Sequence, residues 1–162
     1  SGEVLPTAVD SGDIAPVRGF FDKDGYFYRI GPSVAPLKEK YRISDRYGYR
    51  THPISGERQF HAGLDMAAVY AATVHAAASG TVTFAGETPG YGKTVVVTHR
   101  FGFQTRYAQQ TLIYTRKGAK VEKGDVIGFV GSTGISTGNH LHYEVIKNQK
   151  RINPLNFIYG TK

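Results

Sequence analysis

His61-Ala62-Gly63-Leu64-Asp65 and, far downstream, His140-Leu141-His142 carry the chemistry of this chain. Together they supply three metal ligands and a spare imidazole. A catalytic zinc site takes three protein ligands and keeps a fourth position for water, and two histidines with one carboxylate meet that need. The i,i+4 spacing of His61 and Asp65 puts both side chains on one face of a helix or a strand. The i,i+2 spacing of His140 and His142 puts both on one face of a strand. Either pair alone is a weak signal, since His-x-His also occurs on exposed strands. Their combination in two Gly-flanked segments points to a metal site.

Zinc held by two neutral imidazoles and one carboxylate lowers the pKa of its water toward about 7 and polarises a carbonyl. The histidine of the His140/His142 pair that does not bind metal then carries a proton from the attacking water to the leaving amine. These parts add up to amide hydrolysis. Glu144 continues the same alternation and either orients an imidazole or lies on an exposed edge. Of the other histidines, His99 ends a β run and reads as structural or exposed. His75, among alanines, reads as a small hydrogen-bonded core histidine. His52 either lines the cleft or serves a loop.

Strands must position these groups. Twenty glycines, eleven tyrosines and nine phenylalanines, with short β-branched runs between Gly pairs, predict an all-β domain with little helix. The clearest strands are Gly80–Phe84, Thr94–His99, Phe103–Ala108, Val126–Val130 and Leu141–Ile146, separated by turns such as Pro89-Gly90-Tyr91-Gly92 and Lys123-Gly124-Asp125. In 139–145, Leu141, Tyr143 and Val145 alternate with His140, His142 and Glu144, so one face is buried and the other meets the site. Residues 1–40 read as a separate segment. Two runs, Val17–Phe21 and Tyr26–Ile30, flank a hairpin turn at Asp22-Lys23-Asp24-Gly25, and Pro32 and Pro36 bracket an extended connector. The tail Asn153–Phe157 is expected to be a loop packed on the core.

At 162 residues the chain suits one domain with an ordinary core. No apolar run approaches the roughly 18 residues of a membrane span. The absence of cysteine excludes thiolate metal sites, Cys nucleophiles and disulfides. A net charge of +7 attracts anionic polymers in general. Nucleic acid is not the expected partner, because no binding motif or basic stripe with interleaved aromatics is present.

The motifs Tyr47-Gly48-Tyr49-Arg50-Thr51-His52-Pro53, Phe60-His61-Ala62-Gly63-Leu64-Asp65, Val126-Ile127-Gly128, Gly131-Ser132-Thr133-Gly134 and Gly138-Asn139-His140-Leu141-His142-Tyr143-Glu144 together resemble the lysostaphin-like (LytM-type) zinc metallopeptidases. The resemblance runs from about Tyr41 to Phe157. It implies a compact antiparallel β-sheet domain over 41–162 with an active-site groove across the sheet. It also implies zinc held by His61, Asp65 and His142, and His140 as the catalytic imidazole. The implied activity is cleavage of peptide cross-links in bacterial peptidoglycan. The segment Asp22–Gly25, Ala35-Pro36-Leu37 and Arg42-Ile43-Ser44 looks like the region preceding the catalytic domain in Gram-negative cross-link endopeptidases. Such proteins are exported to the periplasm or cell envelope and carry further targeting or inhibitory domains, which makes residues 1–40 the expected remnant of a longer protein.

One position departs from the pattern. Where the family shows Tyr-Ala-His-Leu, this chain reads Tyr107-Ala108-Gln109-Gln110. The family histidine is the second catalytic imidazole and stabilises the oxyanion. Gln109 keeps a donor amide but carries no charge, and loss of one preorganised donor typically costs about 10²–10³ in turnover. Tyr107 offers a hydroxyl to the same step, against a default role in packing. Gln109 thus opens a second reading, a degenerate relative that binds cell wall or regulates a partner hydrolase. A third rests on Val121–Gly128, which is similar to carrier-domain hairpins with Lys123 as the modified residue; a carrier needs no metal site.

Overall fold

A computed structural model describes residues 32–132 and 138–158. The hairpin expected around Asp22–Gly25 lies outside them. Every strand pairing among the described residues is antiparallel. The chain runs through β1 (Arg42–Asp45), β2 (Gly48–Thr51), β3 (Arg58–His61), β4 (Leu64–Ala67), β5 (Thr73–His75), β6 (Gly80–Thr88), β7 (Gly92–Thr98), β8 (Phe103–Ile113), β9 (Lys120–Val121), β10 (Val126–Val130), β11 (His140–Lys147) and β12 (Lys150–Ile152). Ten strands form one sheet whose main path is β1-β4-β11-β8-β7-β6-β9, while β2 and β3 form a separate two-stranded sheet. Among the described residues, helix is confined to short 3-10 turns at Arg100–Gly102 and Pro154–Phe157.

The five strands expected from β-branched runs all form. Pairing extends four of them beyond those runs: β6, for example, continues through Gly86 to Thr88 because Gly86 still pairs with Thr94 and Thr88 with Gly92. The short strands β1, β2, β3, β4, β5, β9 and β12 were not among the expected ones. Segments such as Arg42-Ile43-Ser44-Asp45 and Arg58-Gln59-Phe60-His61 lack a β-branched run, and they are held by neighbours and not by local preference.

One side of the sheet covers the core. Leu64, Met66, Val95, Val97, Tyr107, Leu141, Tyr143 and Val145 are all fully buried in a single cluster. Truncating one of these side chains, as in Leu141→Ala, should cost about 2–5 kcal/mol. Phe157 in the C-terminal 3-10 turn packs edge-on against Phe103, so the expected tail loop is a capped turn on the core, with Asn153 accepting the Leu155 N–H. Packing also begins before residue 41: Leu37 belongs to the core, bridges Val74, and follows Pro36, whose carbonyl accepts the His75 N–H.

Candidate metal centre

Cross-strand register builds the centre. β11 lies between β4 and β8, with His142 opposite Asp65 on one side and Ala108 on the other. Directly opposed residues share a sheet face, so Asp65 and His142 meet without further folding. His61 arrives differently. It ends β3 in the two-stranded sheet, and Ala62-Gly63 carries the chain over to β4. The His61–Asp65 pair is therefore not one face of one element, as its spacing suggested; two strands of different sheets bring it together. Gly63 permits the crossing, because a Cβ there would lie 2.7 Å from the Tyr143 carbonyl oxygen, 2.8 Å from His142 Cε1 and 2.9 Å from Glu144 Cγ.

One potential ligand atom from each of His61, Asp65 and His142 lies within 4.8 Å of the others. Asp65 Oδ1 is 2.7 Å from His142 Nδ1, and Asp65 Oδ2 is 3.3 Å from His61 Nε2. Two bonds of about 2.0–2.1 Å at a tetrahedral angle set donors about 3.3 Å apart, which is the Asp65–His61 separation, while the Asp65–His142 pair stands closer. The outward nitrogens are also held. His61 Nδ1–H donates to the Arg46 carbonyl at 3.0 Å, and His142 Nε2–H donates to Glu144 Oε2 at 2.9 Å. His61 Nε2 and His142 Nδ1 are thereby the nitrogens turned toward Asp65, and a cation would take them once the proton that His142 Nδ1 donates to Asp65 is released.

Glu144 is fully buried, so its edge reading gives way to the orienting one. Its carboxylate accepts Tyr91 O–H at 3.0 Å and Arg151 Nε–H at 3.1 Å as well as His142. Arg106 Nε stands 3.3 Å away, in ion-pair range but off a hydrogen-bond angle. Burial alone would raise both carboxyl pKa values, but the His142 hydrogen bonds and the neighbouring cations hold Asp65 and Glu144 below the usual carboxylate range. Burial would lower the His142 pKa; hydrogen bonds to Asp65 and Glu144 outweigh it and push the value up to about 9.

His140 precedes His142 by two residues on β11, and its Nδ1–H donates to the Gly138 carbonyl at 3.0 Å. Gln109 is buried near the end of β8 with a left-handed φ of 63°. Its N–H donates to the Tyr91 carbonyl, its carbonyl accepts the Gly131 N–H, and Gly131 in turn bridges His140. The Gln109 Oε1 is buried without a hydrogen-bond partner among the described residues.

Tyr107 does not join them. It pairs across from Tyr143, on the opposite face of the sheet from His142, and is fully buried. Its oxygen accepts the Ala77 N–H at 2.9 Å and lies 2.6 Å from Thr105 Oγ1, and burial pushes its pKa up to about 12. The expected catalytic assistance from Tyr107 is thus corrected to core packing. His99 is structural and buried, its ring 2.8 Å from the Ser79 carbonyl and 2.7 Å from Thr105 Oγ1. His75 is the expected hydrogen-bonded core histidine, between Thr73 Oγ1 and the Gly124 carbonyl. His52 serves a loop, where Nδ1 accepts the Ile54 and Ser55 N–H groups. Sequence reasoning missed Tyr91, Arg106 and Arg151. Arg106 shares the alternation that places Ala108 opposite His142, and that signal was available; Tyr91 sat inside a turn motif and gave none.

Residues 59–154 match the sequence profile of peptidase family M23. Over 142 residues, 86% of its length, the chain is 42% identical to the DD-carboxypeptidase/endopeptidase Mpg of Neisseria meningitidis serogroup B, of which it covers 33%. The chain thus spans about a third of the curated relatives it matches. Among solved structures it is similar to a zinc containing peptidase from Vibrio cholerae, with a TM-score of 0.69 and 31% identity over 75% of this chain and 38% of that one. It is also similar to the catalytic domain of lysostaphin from Staphylococcus simulans, with a TM-score of 0.65 and 28% identity over 72% of this chain and 91% of that one.

Proposed function

The chain belongs to peptidase family M23, and from that premise we propose that it is a zinc endopeptidase hydrolysing peptide cross-links of bacterial peptidoglycan, exported to the periplasm or cell envelope. In this reading residues 41–162 form the peptidase domain, led by the 1–40 segment. The observation that carries it is the convergence of His61, Asp65 and His142 with both outward imidazole nitrogens anchored. The relatives' peptidase names and the net charge of +7, suited to an anionic wall polymer, support the substrate. No helix among the described residues is long and apolar enough to cross a membrane.

A zinc ion held by these three residues would supply Lewis acidity, acidifying water and polarising the scissile carbonyl. The chain's own groups do the rest. Glu144 holds His142 in the required tautomer, and the Arg46 carbonyl does the same for His61. With Nδ1–H committed to Gly138, His140 keeps Nε2 as its basic nitrogen, which accepts a proton from the attacking water and returns it to the leaving amine. Gln109 would act as a neutral donor where the charge develops on the former carbonyl oxygen, weaker there than an imidazolium.

Digestion of purified peptidoglycan, read by mass spectrometry, tests this. Zinc-dependent loss of cross-linked species, abolished by chelation, is the expected result. A silent wild type with a cutting Gln109→His variant would overturn the reading in favour of a metal-binding domain that regulates or binds without hydrolysis.

A further inference from the structure

A second concavity opens on the same sheet face as the metal centre. Register fixes this placement: Val96 pairs with Arg106, Arg106 with Glu144, and Ala108 with His142, so all project to one side. The cavity is about 340 Å³ and is lined by Thr83, Phe84, Thr88, Val96, Gln104 and Arg106. Neighbouring strands stand about 4.8 Å apart, which sets β7 about 10 Å from β11. An extended peptide advances about 3.3–3.6 Å per residue. A substrate cut beside His142 therefore reaches the cavity about three residues from its scissile bond.

The lining has a definite chemistry. Arg106 and Arg151 both face the single Glu144 carboxylate, which leaves one positive charge in excess beside the cavity. Arg106 presents its Nε edge to Glu144 without a hydrogen bond there, its guanidinium stands over the Tyr91 ring with Cζ 4.8 Å from the centroid, and the side chain lines the cavity. Thr88 Oγ1, on the far side, is likewise without a hydrogen-bond partner among the described residues. Phe84 is half-exposed and offers an apolar wall. A cation, an unused hydroxyl and an apolar wall fit a carboxylate on a short aliphatic stem.

We propose that this cavity is a substrate subsite for a peptide carboxylate and that Arg106 determines specificity for it. The proposal rests on the peptidase reading above only for the identity of the substrate as a peptide. Arg106 binds the carboxylate through its terminal amines while its ion pair with Glu144 keeps the guanidinium at the edge between subsite and metal centre. An amide in place of the carboxylate forfeits the charge-assisted hydrogen bonds.

The test uses one cross-linked stem-peptide dimer in three forms: unmodified, amidated at its side-chain carboxylates, and amidated at its C-termini. Binding is measured by NMR titration of the zinc-loaded His140→Ala protein, and turnover with the zinc-loaded wild type. Side-chain amidation is expected to weaken binding at least about tenfold, with shifts at Thr88 and Gln104 lost. Arg106→Gln should bring the acid and amide forms to within about twofold of each other, and Thr88→Val, which leaves Glu144 untouched, should narrow the gap in part. An effect confined to C-terminal amidation would assign the carboxylate to the chain end. Equal binding of all three forms by the protein with Arg106 intact would overturn the subsite, as would an Arg106→Gln variant that weakens acid and amide forms by the same factor. Discrimination in binding with no turnover of any form would leave the subsite standing and refute the peptidase reading instead.

Discussion

Glu144→Gln is the substitution that separates a tuned metal centre from a mere cluster of ligands. The carboxylate sits fully buried with His142 and Tyr91 donating to one oxygen and Arg151 to the other. Glutamine keeps the volume and one acceptor oxygen. Whichever way the amide is turned, its NH2 faces donors: His142 and Tyr91 on one side, Arg151 and Arg106 on the other. The fold feels this modestly, because the Arg106 and Arg151 side chains are 20% and 38% exposed and water replaces part of what they lose. About 2 kcal/mol is expected, or about 4–8 °C in Tm. The metal feels it more directly. An imidazole that loses its carboxylate acceptor is a weaker and less fixed ligand, and zinc affinity should fall about 10–100-fold. Competition against a chromogenic chelator at constant pH gives the affinity, and thermal unfolding in saturating zinc gives the stability. A variant that melts lower but binds zinc within twofold of the wild type would refute the idea that Glu144 organises His142.

Four further outcomes are expected. His61→Ala and Asp65→Ala should each abolish stoichiometric zinc retention by elemental analysis, whereas His140→Ala should keep the metal and lose hydrolysis; full activity in His140→Ala would remove it from proton transfer. Tyr107→Phe should stay active while losing about 1–2 kcal/mol in denaturant titration, since it removes a hydroxyl from the core and touches nothing at the centre. Gly63→Ala should weaken zinc binding at least about tenfold, because its Cβ would press on His142 and Glu144 at 2.8 and 2.9 Å; unchanged affinity would mean that β4 and β11 yield easily. Burial holds the His99 pKa down to about 4 against an ordinary 6.5. As pH falls below 6.5 the unfolded chain takes up the proton first, so about 3 kcal/mol of stability present at neutral pH should drain away between pH 6.5 and 4. The pH dependence of unfolding should flatten in that window in His99→Gln.

The chemistry of the centre was more legible in the amino-acid order than its construction. The alternation of His140, His142 and Glu144 with Leu141, Tyr143 and Val145 is a local pattern, and β11 realises it directly. The β-branched runs of β7 and β10 are local too. His61 and Asp65 meet through a crossing between two sheets, which depends on where β2–β3 stacks and leaves no periodic trace. Tyr107 was expected to offer a hydroxyl beside Gln109, but its register opposite Tyr143 puts it on the core face. The left-handed backbone at Gln109 interrupts β8 there, and the β7–β8 register shifts between Tyr107 and Gln110, so strand parity fails across the break. Glu144's two arginines come from β8 and β12, a pairing that only the sheet order reveals.

The split of the ligands between sheets has a mechanical consequence. Asp65 and His142 belong to the ten-stranded sheet, whose strands brace one another, while His61 terminates a two-stranded ribbon that a hairpin of this size does not stabilise alone. Phe60 packs edge-on against Tyr49 of the same ribbon and against Tyr47, which precedes β2 and whose hydroxyl donates to the Arg151 carbonyl of β12. An ion bound at the junction is a rivet between a rigid plate and a pliant tab. Chelation would then do more than withdraw a Lewis acid: it would remove one of the tab's ties to the plate, beside the Tyr47–Arg151 hydrogen bond, and loosen the bearing of the aromatic surface of Tyr49 and Phe60.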